Sequence, residues 1–169
     1  NDLKYFDKIF IPYSPGDGGG AIGSALIAQK KNDKLVEFHN LQTPYIGNEY
    51  KDGFIKNLID KNLELKNFGL EYYKDKQELF RKVAKLIYEN KVVGFFNGRM
   101  EFGERALGNR SILANPCNPN MKEIINKKIK RRESFRPFAP AILKEEKNLW
   151  FQDTYDNPYM SCVENILKD

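Results

Sequence analysis

The spacing of apolar residues separates helices from strands along the chain. Within residues 76–90, apolar side chains such as Leu79, Val83 and Leu86 recur every three or four positions and would form one face of an α-helix. Residues 92–96 instead form a short apolar run, which is typical of a buried central strand. The pattern therefore predicts a helix followed directly by a core strand.

Weaker versions of the same two patterns predict the remaining elements. The other predicted helices are residues 21–31, 54–62, 118–131 and 145–151. The other predicted strands are residues 8–12, 70–73, 111–114 and 138–143. Residues 32–52 are irregular and predict a connection between two units. Because helix and strand patterns alternate throughout, the predicted fold class is α/β, with α+β as the alternative.

The composition is that of an ordinary soluble protein. The chain has 169 residues, 41% hydrophobic and 30% charged, enough for one domain with a core and a small appendage. No apolar run approaches the roughly 18 residues of a membrane span. Cys117 and Cys162 form no CxxC or Cys/His cluster, so we expect neither structural zinc nor a disulfide framework, and a cytoplasmic location. Because the first residue is not Met, we expect a processed chain or part of a longer one.

The densest chemical feature is the segment 98–111, which reads GRMEFGERALGNRS. It holds three glycines and three arginines and lies just after a predicted core strand, where ligand sites of α/β folds are concentrated. Glycine lets backbone N–H groups approach an anion, and the arginine fork matches phosphate or carboxylate oxygens. The net charge of +5 fits nucleic acid, an anionic small substrate or lysines that are only solvated surface. This segment favours a phosphate-like ligand over a merely solvated surface loop.

A second basic segment, residues 126–140, reads NKKIKRRESFRPFAP. Lys127 and Lys128 in its first half fit a solvated helix end that the helix dipole stabilises. Lys130 and Arg136 differ, because they flank the exit of the predicted helix and Arg136 lies in the rigid sequence Phe-Arg-Pro. Such positions suit the preorganised binding of a charged substrate.

A third candidate is the glycine-rich turn at residues 14–23, which leads from a predicted strand into a predicted helix. A turn of this kind is a general phosphate site, although it matches neither the P-loop nor the dinucleotide-binding pattern. Asp17 within it could cap the helix or bind a metal ion. The single histidine, His39, lies in the irregular connection, and we assign it no catalytic role.

The run from Asn97 to Leu143 resembles the carbamoyltransferases of the NodU/CmcH/TobZ type. More weakly, the whole chain is similar, and PYSPGDGGGAIGSAL matches the family's Gly-Asp-x-Gly and Ala-rich pattern. The resemblance implies a Kae1-like domain of the actin-like ATPase superfamily followed by a YrdC-like domain with a mixed twisted sheet and flanking helices. Residues 1–40 would then be the strand–turn–helix tail of the Kae1-like domain, and residues 41–169 part of the YrdC-like domain.

The same resemblance implies O-carbamoyl transfer. The YrdC-like domain would make carbamoyl-adenylate from carbamoyl phosphate and ATP, assisted by Mg²⁺. The Kae1-like domain, with iron or another divalent metal, would pass the carbamoyl group to a small hydroxyl acceptor such as a sugar. The resemblance implies three catalytic cations, Arg105, Lys130 and Arg136. It implies that Arg99, Arg110 and Ser111 support substrate binding. It also implies that Asp17 is a metal ligand.

Charge gives a geometric expectation for the three catalytic cations. Several negative charges on carbamoyl phosphate and ATP need more than one cation, so we expect Arg105, Lys130 and Arg136 to face one concavity, their charged ends within about 10 Å of one another. The alternative function is a YrdC-like RNA-binding module. The aromatic residues lack the spacing used for base stacking, so nucleic acid is not an expected partner. A membrane is not expected either, because no apolar run is long enough to span one.

Two departures from the family pattern bear on activity. Glu104 stands where the family usually has proline, which puts a negative charge beside the proposed anion site. The chain also stops at Asp169, before the family's later His-Val-Asp-Gly and Asn-Thr-Ser-Phe-Asn types of motif. We therefore expect little or no activity from this chain alone.

Overall fold

The computed structural model describes residues 5–6, 9–32, 43–152 and 156–167. These residues form α-helices, two strands and three helical segments of other kinds. The α-helices are α1 (Asp17–Asn32), α2 (Asp52–Lys61), α3 (Lys76–Tyr88) and α4 (Met121–Ile124). The strands are β1 (Val93–Phe96) and β2 (Arg110–Leu113). A π-helix, Ile125–Lys130, continues α4, and 3₁₀ turns form at Leu63–Asn67 and Lys144–Leu149.

The described residues divide into two compact units. The first, here called the loop unit, draws on Asn1–Gly47, Met100–Leu107 and Ala141–Asp169. The second, the sheet unit, comprises Asn48–Arg99 and Gly108–Pro140. The predicted domain boundary at residues 40 and 41 lies outside the described residues, so that division stays a prediction.

The sheet unit is built on an antiparallel pair in which Val93 faces Leu113 and Phe96 faces Arg110. Helix α3 packs on this pair, with the rings of Phe80 and Phe95 6.4 Å apart. The local sequence sets both ends of α3. The Asp75 side chain accepts a hydrogen bond from the Gln77 amide at its start, and Asn90 adopts a left-handed conformation just beyond its end.

The loop unit is poor in regular structure. Besides α1 and the Lys144–Leu149 turn, it holds an isolated antiparallel bridge between Phe151 and Ile166. The Lys147 ammonium lies 3.3 Å from a Glu164 carboxylate oxygen in a partly buried ion pair, which ties the turn to the chain beyond it. Buried side chains of this unit include Tyr13, Ser14, Pro44 and Glu101.

Several sequence predictions are confirmed and others are wrong. The predicted helices at 54–62 and 76–90 and the strands at 92–96 and 111–114 appear within one to two residues of their bounds. The mixture of helices with a small antiparallel sheet is compatible with the predicted α/β class. However, β1 alternates between half-buried and exposed positions, so the prediction of a strand buried on both faces is wrong.

The other predicted strands do not form, and none of their described residues pairs with another strand in the described part of the chain. Residues 9–12, 70–73 and 138–143 are not in regular structure, and Leu70 and Tyr72 are 56% and 79% exposed. An apolar run becomes a strand only when a neighbouring strand takes up its backbone hydrogen bonds. The glycine-rich turn is also shorter than predicted, since α1 begins at Asp17 and includes Gly18 to Gly20.

Candidate functional site

The arginine loop, Met100–Leu107, is held along one side by the chain around Pro44 in the loop unit. The Gly47 amide donates to the Met100 carbonyl at 3.0 Å, and the Phe102 amide donates to the Pro44 carbonyl at 2.7 Å. A β-carbon on Gly47 would lie 2.9 Å from the Met100 carbonyl oxygen. The close backbone approach therefore requires glycine at this position.

The peptide groups of Leu107, at the end of the arginine loop, are held from two sides. Its amide donates to Glu101 Oε1 at 2.6 Å, and its carbonyl accepts from the Tyr45 hydroxyl at 2.7 Å. Burial, helped by the negative charge of Glu101, raises the pKa of Tyr45 above its ordinary value of 10.0. The phenol thus stays protonated as a donor, and Arg105 lies in a loop whose backbone is fixed at Glu101 and at Leu107.

The arginine loop packs against the entrance to α1. Gly103 has φ +109°, and a β-carbon there would lie 3.2 Å from the Ser14 β-carbon. A β-carbon on Gly19, in the first turn of α1, would lie only 2.1 Å from the Ser14 carbonyl oxygen. Ser14 is thus enclosed by glycines from both segments. The structure brings together two glycine-rich segments that lie about eighty residues apart in sequence.

The start of α1 combines a positive dipole end with an adjoining cavity. Its first turn carries Asp17, whose exposed carboxylate suits this end of a helix. A cavity of about 340 Å³ borders the same turn and is lined by residues that include Phe10, Ser14 and Leu26. Both exposure and position leave Asp17 able to cap the helix or to contact a ligand.

A complete metal site is not present among the described residues. They contain no group of three or more His, Cys, Asp or Glu side chains that could hold an ion. Asp17 could supply one carboxylate ligand, and the remaining ligands would have to come from elsewhere.

In the sheet unit, the residues predicted to support substrate binding have structural contacts of their own. The Ser111 hydroxyl accepts a hydrogen bond from the Gly108 amide at 3.0 Å. The Arg99 carbonyl accepts from the Asn109 side chain at 2.8 Å, and Arg110 faces Phe96 in the strand pair. These contacts order the residues that flank the arginine loop in sequence.

Lys130 and Arg136 lie at the two ends of a loop that is tied to one buried asparagine. Lys130 ends the π-helix, and Arg131 follows in a left-handed conformation with φ 49°. Asn126, with 0% exposure, donates to the Ser134 carbonyl at 3.3 Å and to the Arg136 carbonyl at 3.0 Å. The chain from 131 to 136, here called the basic loop, is thereby folded back onto the π-helix.

The other half of the asparagine amide is also used. Asn126 Oδ1 accepts a hydrogen bond from Arg132 Nε at 2.8 Å. The Arg132 guanidinium in turn lies 4.8 Å from the centre of the Phe138 ring. The carboxamide therefore uses both its donor and its acceptor groups, and it links the π-helix to chain on both sides of Arg136.

The Arg136 side chain is oriented by a local ion pair. Its Nε lies 2.8 Å from Glu133 Oε2, with both side chains about half exposed to solvent. A hydrogen bond from the Glu133 backbone amide, together with the positive charge of Arg136, lowers the pKa of the Glu133 carboxyl. Because the pair is exposed, an incoming phosphate could compete with Glu133 for the guanidinium.

Comparison with known proteins identifies the family. Residues 84–169 match the family model described as carbamoyltransferase C-terminus. The chain belongs to the carbamoyltransferase C-terminus family. Nodulation protein NolO of Bradyrhizobium diazoefficiens is 33% identical over 168 residues, which is 95% of this chain and 29% of the relative. Nodulation protein U of Rhizobium tropici is 34% identical over 155 residues, 92% of this chain and 24% of that protein.

A further relative, an uncharacterized protein of Synechocystis sp., is 39% identical over 168 residues, 97% of this chain and 27% of the relative. The chain thus spans about a quarter of the length of the curated relatives it matches. The resemblance expected from the sequence is confirmed. Among the helices of the described residues, none combines the length and the apolarity needed to cross a membrane.

The seven predicted site residues of this carbamoyltransferase segment fall in both units. Arg105 and Asp17 belong to the loop unit, and the other five to the sheet unit. The predicted convergence of Arg105 with Lys130 and Arg136 stays a prediction, as do the individual roles. Sequence reasoning missed Asn126, Glu101 and Tyr45, which fix the two loops. Only Asn126 gave a signal, as a polar residue beside Ile125 on the buried side of its helix.

Proposed function

We propose that this chain is part of an O-carbamoyltransferase that activates carbamoyl phosphate with ATP and delivers the carbamoyl group to a hydroxyl of a sugar or another small metabolite. Membership of the family supports carbamoyl transfer. The observation that carries the phosphate-binding role is the arginine loop, whose backbone is fixed by Glu101, Tyr45 and Gly103 and which packs against the start of α1.

The activation step joins a carbamoyl oxygen to the α-phosphorus of ATP. The bond from the α-phosphorus to the bridging oxygen breaks, and pyrophosphate leaves. A water molecule takes up the phosphoryl group of carbamoyl phosphate as inorganic phosphate, which leaves carbamoyl-adenylate. Arg105, Lys130 and Arg136 would neutralise the phosphate oxygens, and Arg99, Arg110 and Ser111 would support them. Most of the rate gain in such a step comes from positioning and electrostatics.

Metal involvement is a further part of this proposal. Mg²⁺ would accompany ATP, and a divalent metal such as iron would act in the carbamoyl transfer, with Asp17 as one ligand. A cytoplasmic setting is proposed as well, because it would supply ATP and because Cys117 and Cys162 are free thiols.

The test is pyrophosphate release that depends on carbamoyl phosphate, measured in the full-length protein together with any sequence that flanks this chain. We expect Arg105→Ala to lower kcat/KM about 100-fold or more, because it removes a preorganised cation from the transition state. Arg81→Ala is the matched control, since Arg81 is an exposed arginine of α3 that lies 3.9 Å from Asp75.

The proposal fails if pyrophosphate release does not need carbamoyl phosphate, or if Arg105→Ala behaves like Arg81→Ala. Tight RNA binding that weakens steeply with added salt, with no such turnover, would instead support the RNA-binding alternative.

A further inference from the structure

Asn126 is the most deeply buried polar side chain of the sheet unit. It is fully buried beside Met121 and Ile125, which are each 5% exposed. An apolar side chain of similar volume could fill this space, but it would leave the hydrogen-bond partners of Asn126 unsatisfied. Packing alone therefore does not explain an asparagine here.

The hydrogen bonds of Asn126 point to a specific purpose. Its amide nitrogen donates to the carbonyls of Ser134 and Arg136, and its own backbone carbonyl accepts from the Arg132 amide at 3.0 Å. The basic loop cannot move relative to the π-helix without breaking these bonds. The bond to the Arg136 carbonyl fixes the backbone of the residue that carries the proposed anion-binding guanidinium.

We propose that Asn126 is a positioning residue that sets the place of Arg136, through its carboxamide, for binding the anionic substrate. The inference rests on the proposed function, because it assumes that Arg136 contacts that substrate. The other contacts of the carboxamide serve the same end. Arg132 holds its oxygen and also lies on the Phe138 ring, so the chain is fixed on either side of Arg136.

Asn126→Asp tests the donor group of the carboxamide separately from its acceptor group. The aspartate keeps an acceptor for Arg132 and strengthens it with charge, but it loses both donors to the loop carbonyls. We expect kcat/KM for carbamoyl phosphate in the full-length enzyme to fall about tenfold or more, because a small misplacement of a binding group is enough for such a loss.

A double-mutant cycle distinguishes positioning from a general structural role. If Asn126 acts through Arg136, Asn126→Asp should change kcat/KM by less than about twofold when Arg136→Ala is already present. Met121→Ala is the matched control. It leaves a cavity in the same buried cluster and should lower the melting temperature, but its effect on kcat/KM should be small and equal in both backgrounds.

The outcomes are distinct. If Arg136→Ala is impaired but Asn126→Asp has wild-type kcat/KM, or lowers it equally in both backgrounds, the positioning role is wrong and the proposed function stands. If Arg136→Ala itself has no effect, the assignment of Arg136 fails, and the role of Asn126 with it. If Asn126→Asp does not fold, the same double-mutant cycle is measured with Asn126→Ser, which removes the carboxamide without adding charge. That cycle then tests whether Asn126 acts through Arg136.

Discussion

The loop unit and the sheet unit each bury a polar side chain beside a loop that carries a proposed anion-binding residue. In the sheet unit, Asn126 has partners for both its donors and its acceptor. In the loop unit, Ser14 is 2% exposed, and neither its hydroxyl nor that of Tyr13 has a hydrogen-bond partner among the described residues. Burial is thus similar in the two places, but hydrogen bonding is not.

The difference shows two ways of holding a loop. The basic loop is held by a side chain whose removal would leave two carbonyls and an arginine unsatisfied. The arginine loop is held by backbone contacts, by Glu101 and Tyr45, and by glycines that enclose Ser14. Ser14 contributes there through its small volume, since a larger side chain would meet Gly18 and Gly103. Its hydroxyl forms no contact, among the described residues, that holds the loop.

The largest expected effect tests this comparison directly. Asn126→Ala should lower the free energy of unfolding by about 2–4 kcal/mol, because it leaves buried polar groups without partners. Ser14→Ala should change it by less than about 1 kcal/mol in either direction, because no hydrogen bond within the described residues is lost. Chemical denaturation of both variants measures the two values. Equal losses would show that the Ser14 hydroxyl is as well satisfied as Asn126.

The second effect tests whether glycine packing holds the arginine loop. Gly103 and Gly108 have nearly the same φ, +109° and +110°, but only Gly103 has atoms within 4 Å of a β-carbon position. Both alanine substitutions should destabilise by about 1–3 kcal/mol through backbone strain. Gly103→Ala should lose about 1 kcal/mol or more beyond this, because its β-carbon would press on Ser14. Equal melting temperatures for the two variants would contradict the packing argument.

Local elements of the fold were predictable because their causes are local. The helix α3 follows from apolar periodicity and from Asp75 at its start, and β1 and β2 each follow from a short apolar segment, although their antiparallel pairing was not predicted. The strands predicted at 70–73 and 138–143 could not be rejected from sequence, because a strand depends on a partner that may lie anywhere in the chain. Hydrophobic pattern alone does not contain that information.

Residue type alone selects the candidate site residues, whose roles stay predictions, but it does not reveal the contacts that hold their loops. Arg105 stands out within a glycine-rich segment, Lys130 at the exit of a predicted helix and Arg136 beside Pro137. Tyr45 and Glu101 do not, because their role arises from contacts with Leu107, which the sequence does not reveal. The contact of Gly103 with Ser14 joins segments that the sequence divided between two domains, and such long-range packing has no signature within either segment.

A smaller effect concerns the hydrogen bond from the Tyr45 hydroxyl to the arginine loop. Tyr45→Phe should lower stability at neutral pH by about 1 kcal/mol, because it removes the hydrogen bond to the Leu107 carbonyl. The folded-state pKa of Tyr45 is raised above 10.0, so its contribution is complete below pH 10.0 and is lost as the pH rises through the folded-state value.

The pH dependence gives this prediction its control. Denaturation measured at pH 7 and at several values above pH 10.0 should show the stability difference between wild type and Tyr45→Phe shrinking as the pH rises. Amide hydrogen exchange at Leu107 should also quicken in the variant. A difference that grows with pH would mean that the phenolate, and not the phenol, is the favoured form.

The smallest effect concerns the tip of the arginine loop. Glu104 is exposed, and its amide donates no hydrogen bond to another described residue. Glu104→Pro therefore breaks no bond, restricts the unfolded chain and should stabilise by about 0.4–1 kcal/mol. It also removes a negative charge beside Arg105, so turnover of carbamoyl phosphate in the full-length enzyme should be preserved or raised.

Glu104→Ala is the control that removes the charge without restricting the backbone, and a gain in turnover shared by both variants would come from charge alone. A large fall in turnover shared by both variants would show that the Glu104 carboxylate has a role of its own, whereas a large fall with proline alone, at an unchanged melting temperature, would show that the arginine loop must move for activity.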